Sequence, residues 1–585
     1  MRQLGLFMMI VLMMVTGASA QDRDSLDIAI SDDPGTLNPL VLANPNVTSL
    51  IWSRLFDVDT MTGTLVPAIA DSWEISSDGL TYTVQLRDDL VWSDGTPITA
   101  ADVAFTLQAV RSESLATPLS RALPPEIFDT FTVVDDRTFS FTIARPNCSV
   151  LTRFNAVFPL PSHMFAQDFS DVADNGIFTQ NGVSSGPYTV VASTPGDSIE
   201  LIANPNYWKG APLIPYVTLH IIPDTEEVIQ ALTDASIEHW TSITLPVMNR
   251  AGEYVFLADG VTPALTVDER DRLAEETGIP LPENTNLFQV PGIGVMFLVM
   301  NTADPENPQP RYDASGNRID QGVHPILGDV RVRRAVAQAV DVAAMSLEPS
   351  LLYPTSGNLV TPQSWAFDPA LEPYPFSVEA AAALLDEAGW VDHDGDPETP
   401  RVAQGALYAT DGESLVLDLT FAQTRPETGW VADAVQQQLE AVGAEVTIVS
   451  NAVEPGAPDP ILNQDFDMAL ISFGSFPTDP SFVFDSLGLS SADIPGRGFN
   501  IASFANDQVD QLLVDARRLP GCEPEARAEL YREAQAIMSD EAAYLPLGML
   551  ATNYIANGRL DGFDPAVGQA FWNIETWSIG EPPGS

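Results

Sequence analysis

The chain has 585 residues, 26 of them basic and 80 acidic, for a formal net charge of −54 and a mean hydropathy near zero. Such acidity excludes nucleic acid and anionic membrane as partners, since both are held through basic patches. A hydrophobic content of 45% excludes disorder, and the length calls for several domains or one large composite fold.

Residues 1–20 read as an export signal. Arg2 is the positive start, Leu4 to Val15 is an apolar run too short to span a bilayer, and Ala18-Ser19-Ala20 is a small-residue cleavage site. Cleavage after Ala20 and a soluble periplasmic or extracellular protein are expected, with no cysteine before Cys148 to carry a lipid. Cys148 and Cys522 are the two cysteines; an oxidising compartment favours a bridge, and two free thiols remain the alternative.

Leu26 to Ile30 reads as a buried strand, and Thr48 to Phe56 as a short helix. Thr81 to Arg87 alternates as a half-buried strand, and Thr99 is placed to cap a helix over Ala100 to Val110. Strands are expected at Thr138 to Ile143, Tyr188 to Ser193, Ser198 to Ala203 and Tyr216 to Pro223. From residue 326 helices and strands alternate. Helices are expected over Asp329 to Met345, Ser377 to Trp390 with its stop at Gly389, and Gly429 to Gly443. Strands are expected at Leu415 to Ala422, Ala444 to Ser450 and Asp465 to Phe473. This rhythm implies a three-layer α/β domain with a largely parallel sheet.

The catalytic motifs are weak. Gly182 to Gly186 matches G-x-S-x-G with Ser184 as nominal nucleophile, but a strand and not a helix follows it. The five histidines form no metal-binding pair, and no phosphate loop is present. Asp392, Asp394 and Asp396 alternate as hard cations prefer, yet Pro397 stands where a calcium loop needs glycine and Ala403 where it needs glutamate. A solvated acidic loop is the plainer reading.

Eight segments, met in order, are similar to one known family. They are Leu65 to Leu107; Ser185 to Tyr188 ("SGPY"); Asn204 to Gly210 ("NPNYWKG"); Val330 to Asp341; Ala381 to Trp390; Val431 to Ile448; Thr478 to Phe484; and Ala526 to Leu547. The chain, over residues 26–577, resembles the dipeptide, oligopeptide and nickel class of solute-binding proteins of ABC importers. The resemblance implies a two-lobed, type II periplasmic-binding-protein fold of α/β class with an additional β-rich domain. It places lobe I at 21–64, 178–289 and 541–585, the β-rich domain at 65–177 and lobe II at 290–540. It also implies a non-enzymatic monomer without cofactor, which takes a small-molecule or peptide-like ligand between its lobes and delivers it to membrane permease subunits. A stand-alone extracellular sensor or scavenger is the alternative, and a secreted hydrolase a more remote one.

Candidate ligand contacts follow from the same resemblance. Arg425, in an Arg-Pro pair ahead of a helix, falls where the dipeptide-binding branch anchors the ligand carboxylate; a surface ion pair is the alternative. That branch holds the peptide amine with an aspartate four residues before the proline of an Asp-Pro pair. Here the pair is Asp479-Pro480 and the position holds Phe476, which offers an ammonium only a ring face. Asp479 is a possible substitute and otherwise a structural turn residue. Trp430, Trp365 and Ser185 complete the set, with core packing as the alternative for the tryptophans. Free dipeptides are therefore expected to bind poorly. Lys209, the sole lysine, is expected at the exposed end of a packed turn.

Overall fold

The computed structural model describes residues 25–580 apart from 31–32, 42–43, 60–61, 113–114, 116, 118–129, 155, 174, 224–226, 228–238, 244–284, 348–351, 354–356, 397–398, 423–425, 452–458, 475–478 and 567. The expected export signal lies outside the described residues.

The first part of the chain is built from β1 (Ser25–Ile30), α1 (Pro45–Ile51) and the short hairpin β2 (Phe56–Val58) with β3 (Leu65–Pro67). Next come β4 (Ala70–Ile75), β5 (Thr81–Leu86), α2 (Ala100–Arg111), β6 (Thr130–Val133), β7 (Thr138–Thr142) and α3 (Val150–Phe154). Strands β8 (Tyr188–Thr194), β9 (Ser198–Ala203), β10 (Tyr216–Ile221) and β11 (His239–Ile243) follow. The long strand β12 (Thr285–Met300) leads to α4 (Val330–Ala339), α5 (Val342–Leu347), β13 (Leu352–Tyr353), α6 (Val378–Glu387), β14 (Trp390–Val391) and β15 (Val402–Ala403). After these come β16 (Val416–Ala422), α7 (Pro426–Glu440), β17 (Glu445–Asn451), β18 (Met468–Gly474), α8 (Ser481–Gly488), α9 (Asp507–Arg518), α10 (Pro524–Glu541) and β19 (Tyr544–Asn557).

One sheet runs through both halves in the order β17-β16-β18-β12-β19-β11-β1-β10-β9-β8. A separate antiparallel sheet, β4-β5-β7-β6, is the β-rich addition. It shares a core with β1, β8, β9 and β10, and within it Phe141 stacks on Tyr82 and on Phe154.

In the second half the period of two in a strand sorts side chains to opposite faces. Met296, Leu298 and Met300 of β12 join a core with α4, α6 and α7, while Val295, Phe297 and Val299 join another with α8, α9 and α10. The result is the three-layer arrangement, helices on both faces of a sheet; its β16–β17 and β16–β18 pairs are parallel, but β18–β12 and β12–β19 are antiparallel, so the sheet is mixed and not largely parallel as expected.

Strands β12 and β19 cross between the halves. In β12, Val290 belongs to the first core and Val295 to the third; in β19, Met549 belongs to the third and Tyr554 to the first. Their pairing shifts register between Pro291 and Val295, where the cores change over.

Two expected helices differ from those found. The first spans Pro45–Ile51, not Thr48 to Phe56, because Asn44 caps it through Asn46 N and Pro45 fits the first turn. Trp52 is extended, and Phe56 opens β2. The helix expected over Asp329 to Met345 is broken after Ala339. Asp341 turns its backbone N–H to Gln438 Oε1 and its carboxylate to Ala344 N, so it caps α5.

Cys148 and Cys522 form a disulfide. No helix of the described residues is long and apolar enough to cross a membrane.

Candidate ligand-binding site

In an open α/β sheet the ligand crevice forms where consecutive connections leave strand ends toward opposite faces. That point lies between β16 and β18. From the carboxyl end of β16 the chain enters α7 on one face; from the carboxyl end of β18 it enters α8 on the other. Gly474, the last residue of β18, pairs with Gly294 of β12, so the crevice adjoins the crossing between the halves. A Cβ on Gly294 would meet Ser472 Oγ at 3.1 Å and Gly474 backbone at 3.2 Å, so the strands are closely apposed here.

Three phenylalanines mark this edge. Phe473 stacks on Phe482 with centroids 5.4 Å apart, and Phe499 meets both edge-on. Phe482 is 50% and Phe499 43% exposed, a large apolar area for one spot on an acidic surface. They come from β18, α8 and the loop before α9. Phe482 faces outward while its neighbours Val483 and Phe484 are buried, a local break in an otherwise apolar helix.

The sequence candidates fall in four places. Arg425 and Phe476 lie outside the described residues, immediately beyond α7's start and β18's end. Trp430 is half-buried in α7. Asp479 and Trp365 are brought together by a residue the sequence reading did not single out, Arg527 of α10. Arg527 donates to both oxygens of Asp479, at 2.8 and 3.1 Å, and its guanidinium lies 5.0 Å over the Trp365 ring. Asp479 also accepts Ser481 N and the Ser481 hydroxyl, which bonds Tyr531 in turn. This closed network fixes the start of α8, on which Phe482 stands.

Ser185 sits elsewhere, in the first core, and is buried. Its hydroxyl accepts Ser53 N and its carbonyl accepts the Ser53 hydroxyl. A Cβ at the following Gly186 would lie 2.6 Å from the Ile51 carbonyl carbon, so glycine is required there. Buried Asn204 donates to Gly186 O, and Trp208 Nε1 donates to Ser53 Oγ, so "SGPY" and "NPNYWKG" are two halves of one knot behind α1. Ser184 is fully buried and its hydroxyl bonds Thr189, an arrangement that presents no nucleophile.

Lys209 Nζ pairs with Asp57 at 2.9 Å and lies 5.1 Å over the Trp208 ring. It borders a pocket of about 270 Å³ on the first half, walled by Trp52, Phe158, Tyr207, Trp208 and Trp572. Arg54, in the same wall, has its pKa lowered by burial, opposed by the nearby Asp57.

In the acidic loop, Asp392 accepts Asp394 N and Gly395 N, and Asp394 accepts the Thr399 hydroxyl. Among the described residues no group of three or more histidine, cysteine, aspartate or glutamate side chains is arranged to hold a metal. Buried His324 donates from Nε2 to Asp467 and accepts two backbone N–H groups at Nδ1, so both its nitrogens are used.

A model of the bacterial extracellular solute-binding proteins, family 5 (middle), matches residues 64–494. The chain belongs to that family. Protein XP55 of Streptomyces lividans is 26% identical to this solute-binding protein over 548 residues, 92% of this chain and 86% of the relative. The probable D,D-dipeptide-binding periplasmic protein DdpA of Escherichia coli K12 is 24% identical over 577 residues, 96% and 95% of the two chains. The crystal structure of the ABC transporter substrate binding protein CtaP of Listeria monocytogenes matches with a TM-score of 0.72 at 22% identity, over 96% of this chain and 100% of that one. These likenesses carry the two-lobed fold.

Proposed function

We propose that this solute-binding protein is the extracytoplasmic receptor of an ABC import system, and that it works by binding and closure, without catalysis. The observation that carries the reading is the cluster of Phe473, Phe482 and Phe499 at the topological switch point beside the β12–β19 crossing. A ligand held there touches both halves and favours the state in which they are closed. Lobe I at 21–64, 178–289 and 541–585, the domain 65–177 and lobe II at 290–540 are the bodies on this reading. The protein acts outside the cytoplasmic membrane after loss of residues 1–20, as a monomer, and hands its ligand to permease subunits.

The ligand class is a blocked peptide or another small organic solute with an apolar body and one anionic or strongly polar end. Aromatic rings supply area for the body, Arg425 a two-bonded grip on the carboxylate, and Phe476 withholds the charge a free amine needs. Mass spectrometry of small molecules released on denaturing the purified protein tests the reading, with such a solute expected at near-unit stoichiometry. Calorimetry with one peptide, free and N-acetylated, tests the class. A free peptide binding more than about tenfold tighter, a gain of roughly 1.4 kcal/mol, overturns it.

A further inference from the structure

Besides the β12–β19 ladder, one covalent bond joins the two bodies. Cys148 lies between β7 and α3, whose Phe139, Phe141, Val150 and Phe154 belong to the first core. Cys522 lies between α9 and α10, whose Val509, Leu513, Tyr531 and Ala534 belong to the third. The bond spans 374 residues of sequence. It sits in a seam that is otherwise poorly joined. Cys148 N donates to Arg517 O at 2.8 Å. Beside it is an open groove of about 380 Å³ lined by 143–147 on one side and by Arg517 and Arg518 on the other, with Arg517 paired to Asp485 at 2.7 Å. Arg153 of α3 is drawn to Asp485 and Asp479 but repelled by Arg517. Among the described residues the first and third cores are separate clusters.

We infer that the Cys148–Cys522 disulfide is a strap that limits how far the ligand cleft opens. The inference rests on the proposed reading that these two bodies close on a solute. With the strand ladder as one fixed point and the disulfide as a second, the remaining easy motion is rotation about the line joining them. The bodies twist past one another and do not swing apart, and ligand enters through a narrow parting. Without the bond, the self-repulsion of a chain of net charge −54 is no longer held at this seam, and the bodies separate.

Small-angle scattering of the ligand-free protein and of the double variant Cys148→Ser, Cys522→Ser tests this, with circular dichroism confirming that both are folded. The wild type is expected to keep a radius of gyration near roughly 25 Å, the compact value for this length. The variant is expected to be larger in about 10 mM salt. It should contract toward wild type in about 1 M salt, where the screening length falls from about 30 to about 3 Å. Equal radii at low salt overturn the strap. If the variant does not accumulate folded, wild type reduced and alkylated under native conditions, with two modified thiols by mass, must show the same expansion. Loss of the fold in both would make the bond a general staple and overturn the strap too. Scattering needs no ligand: absence of any bound solute would sink the receptor reading and leave this result standing, and unchanged radii would sink the strap alone.

Discussion

Arg527 is 3% and Asp479 5% exposed at the side chain, and their pairing shows how a buried ion pair is tolerated. Every guanidinium nitrogen has an acceptor among two Asp479 oxygens, the Ser481 and Tyr531 hydroxyls and the Ala516 carbonyl. Removing one partner strands the other charge. Arg527→Met is expected to cost about 3–5 kcal/mol in urea unfolding and to loosen α8, where an Asp479→Asn change on the same background should recover part of the loss. Nearby Asp485 behaves differently. Burial raises its pKa to about 6, against the pull of Arg517 at 2.7 Å and Arg153 and with the push of Asp479. A carboxyl whose pKa is raised by folding contributes stability below its unfolded value, and that contribution is lost as pH rises from about 4 to about 6. Asp485→Asn keeps an acceptor for Arg517 and removes the titration. Relative to wild type, its urea stability should improve by roughly 2 kcal/mol between pH 4 and pH 7. A difference that does not change with pH would contradict the assignment. At the rim, Phe482→Ala should weaken binding of the best peptide about tenfold while leaving stability within about 0.5 kcal/mol, because half of the ring is already in water.

Among elements, the start of α2 and the strands with one apolar face were legible in the sequence, whereas the Asn44 cap of α1 was not. Thr99 does begin α2, though the bonds are made by Asp102, which accepts Thr99 N and the Ser162 N–H and hydroxyl. The break between α4 and α5 was not legible, because Val330 to Leu347 keeps helical spacing throughout; only the tertiary partner Gln438 decides it. The site divides the same way. Asp479 and Trp365 stood out by motif and residue type, but Arg527, which joins them, lies 48 residues beyond Asp479 and farther still from Trp365. The Phe473, Phe482 and Phe499 patch is assembled from three elements, and nothing in any one of them distinguishes an exposed phenylalanine from a core one. The β12 crossing is the element with the sharpest test. Gly294→Ala places a methyl against Gly474 backbone, which cannot yield as a flexible side chain would. A loss of about 1–2 kcal/mol is expected, with a fall in affinity beyond what Phe482→Ala gives, since the strand that carries Phe473 is displaced.

For the whole molecule, charge and covalent closure act on stability in opposite directions. A net charge of −54 repels itself, and the repulsion is screened by salt. The melting temperature should rise between about 10 mM and about 1 M sodium chloride; a flat response would overturn the idea that self-repulsion limits stability. The disulfide counteracts unfolding by closing a loop spanning 374 residues. Chain entropy puts this near the upper end of what such bonds contribute, about 5 kcal/mol. The charge was readable at once from composition, whereas the bridge was not, because its two ends meet only after both bodies have folded. The two-lobed division was legible through eight ordered motifs. Most of these turn out to hold the scaffold: Arg333 of α4 ties to the Leu327 and Glu541 carbonyls, as "SGPY" and "NPNYWKG" tie to α1.

Lys209 is the sole side-chain amine on the molecule. An acylating reagent therefore finds two kinds of nitrogen, this one and the chain terminus. Since Lys209 Nζ is ion-paired with Asp57, the acylation rate there reports how often the nitrogen leaves that partner. A fluorophore attached there stands at the rim of a pocket walled by Trp52, Trp208 and Trp572, within quenching reach of their indoles. The protein thus carries its own single labelling handle, on the half of the molecule that bears the β-rich sheet, and any movement of that pocket's walls becomes a change in emission without a residue being replaced.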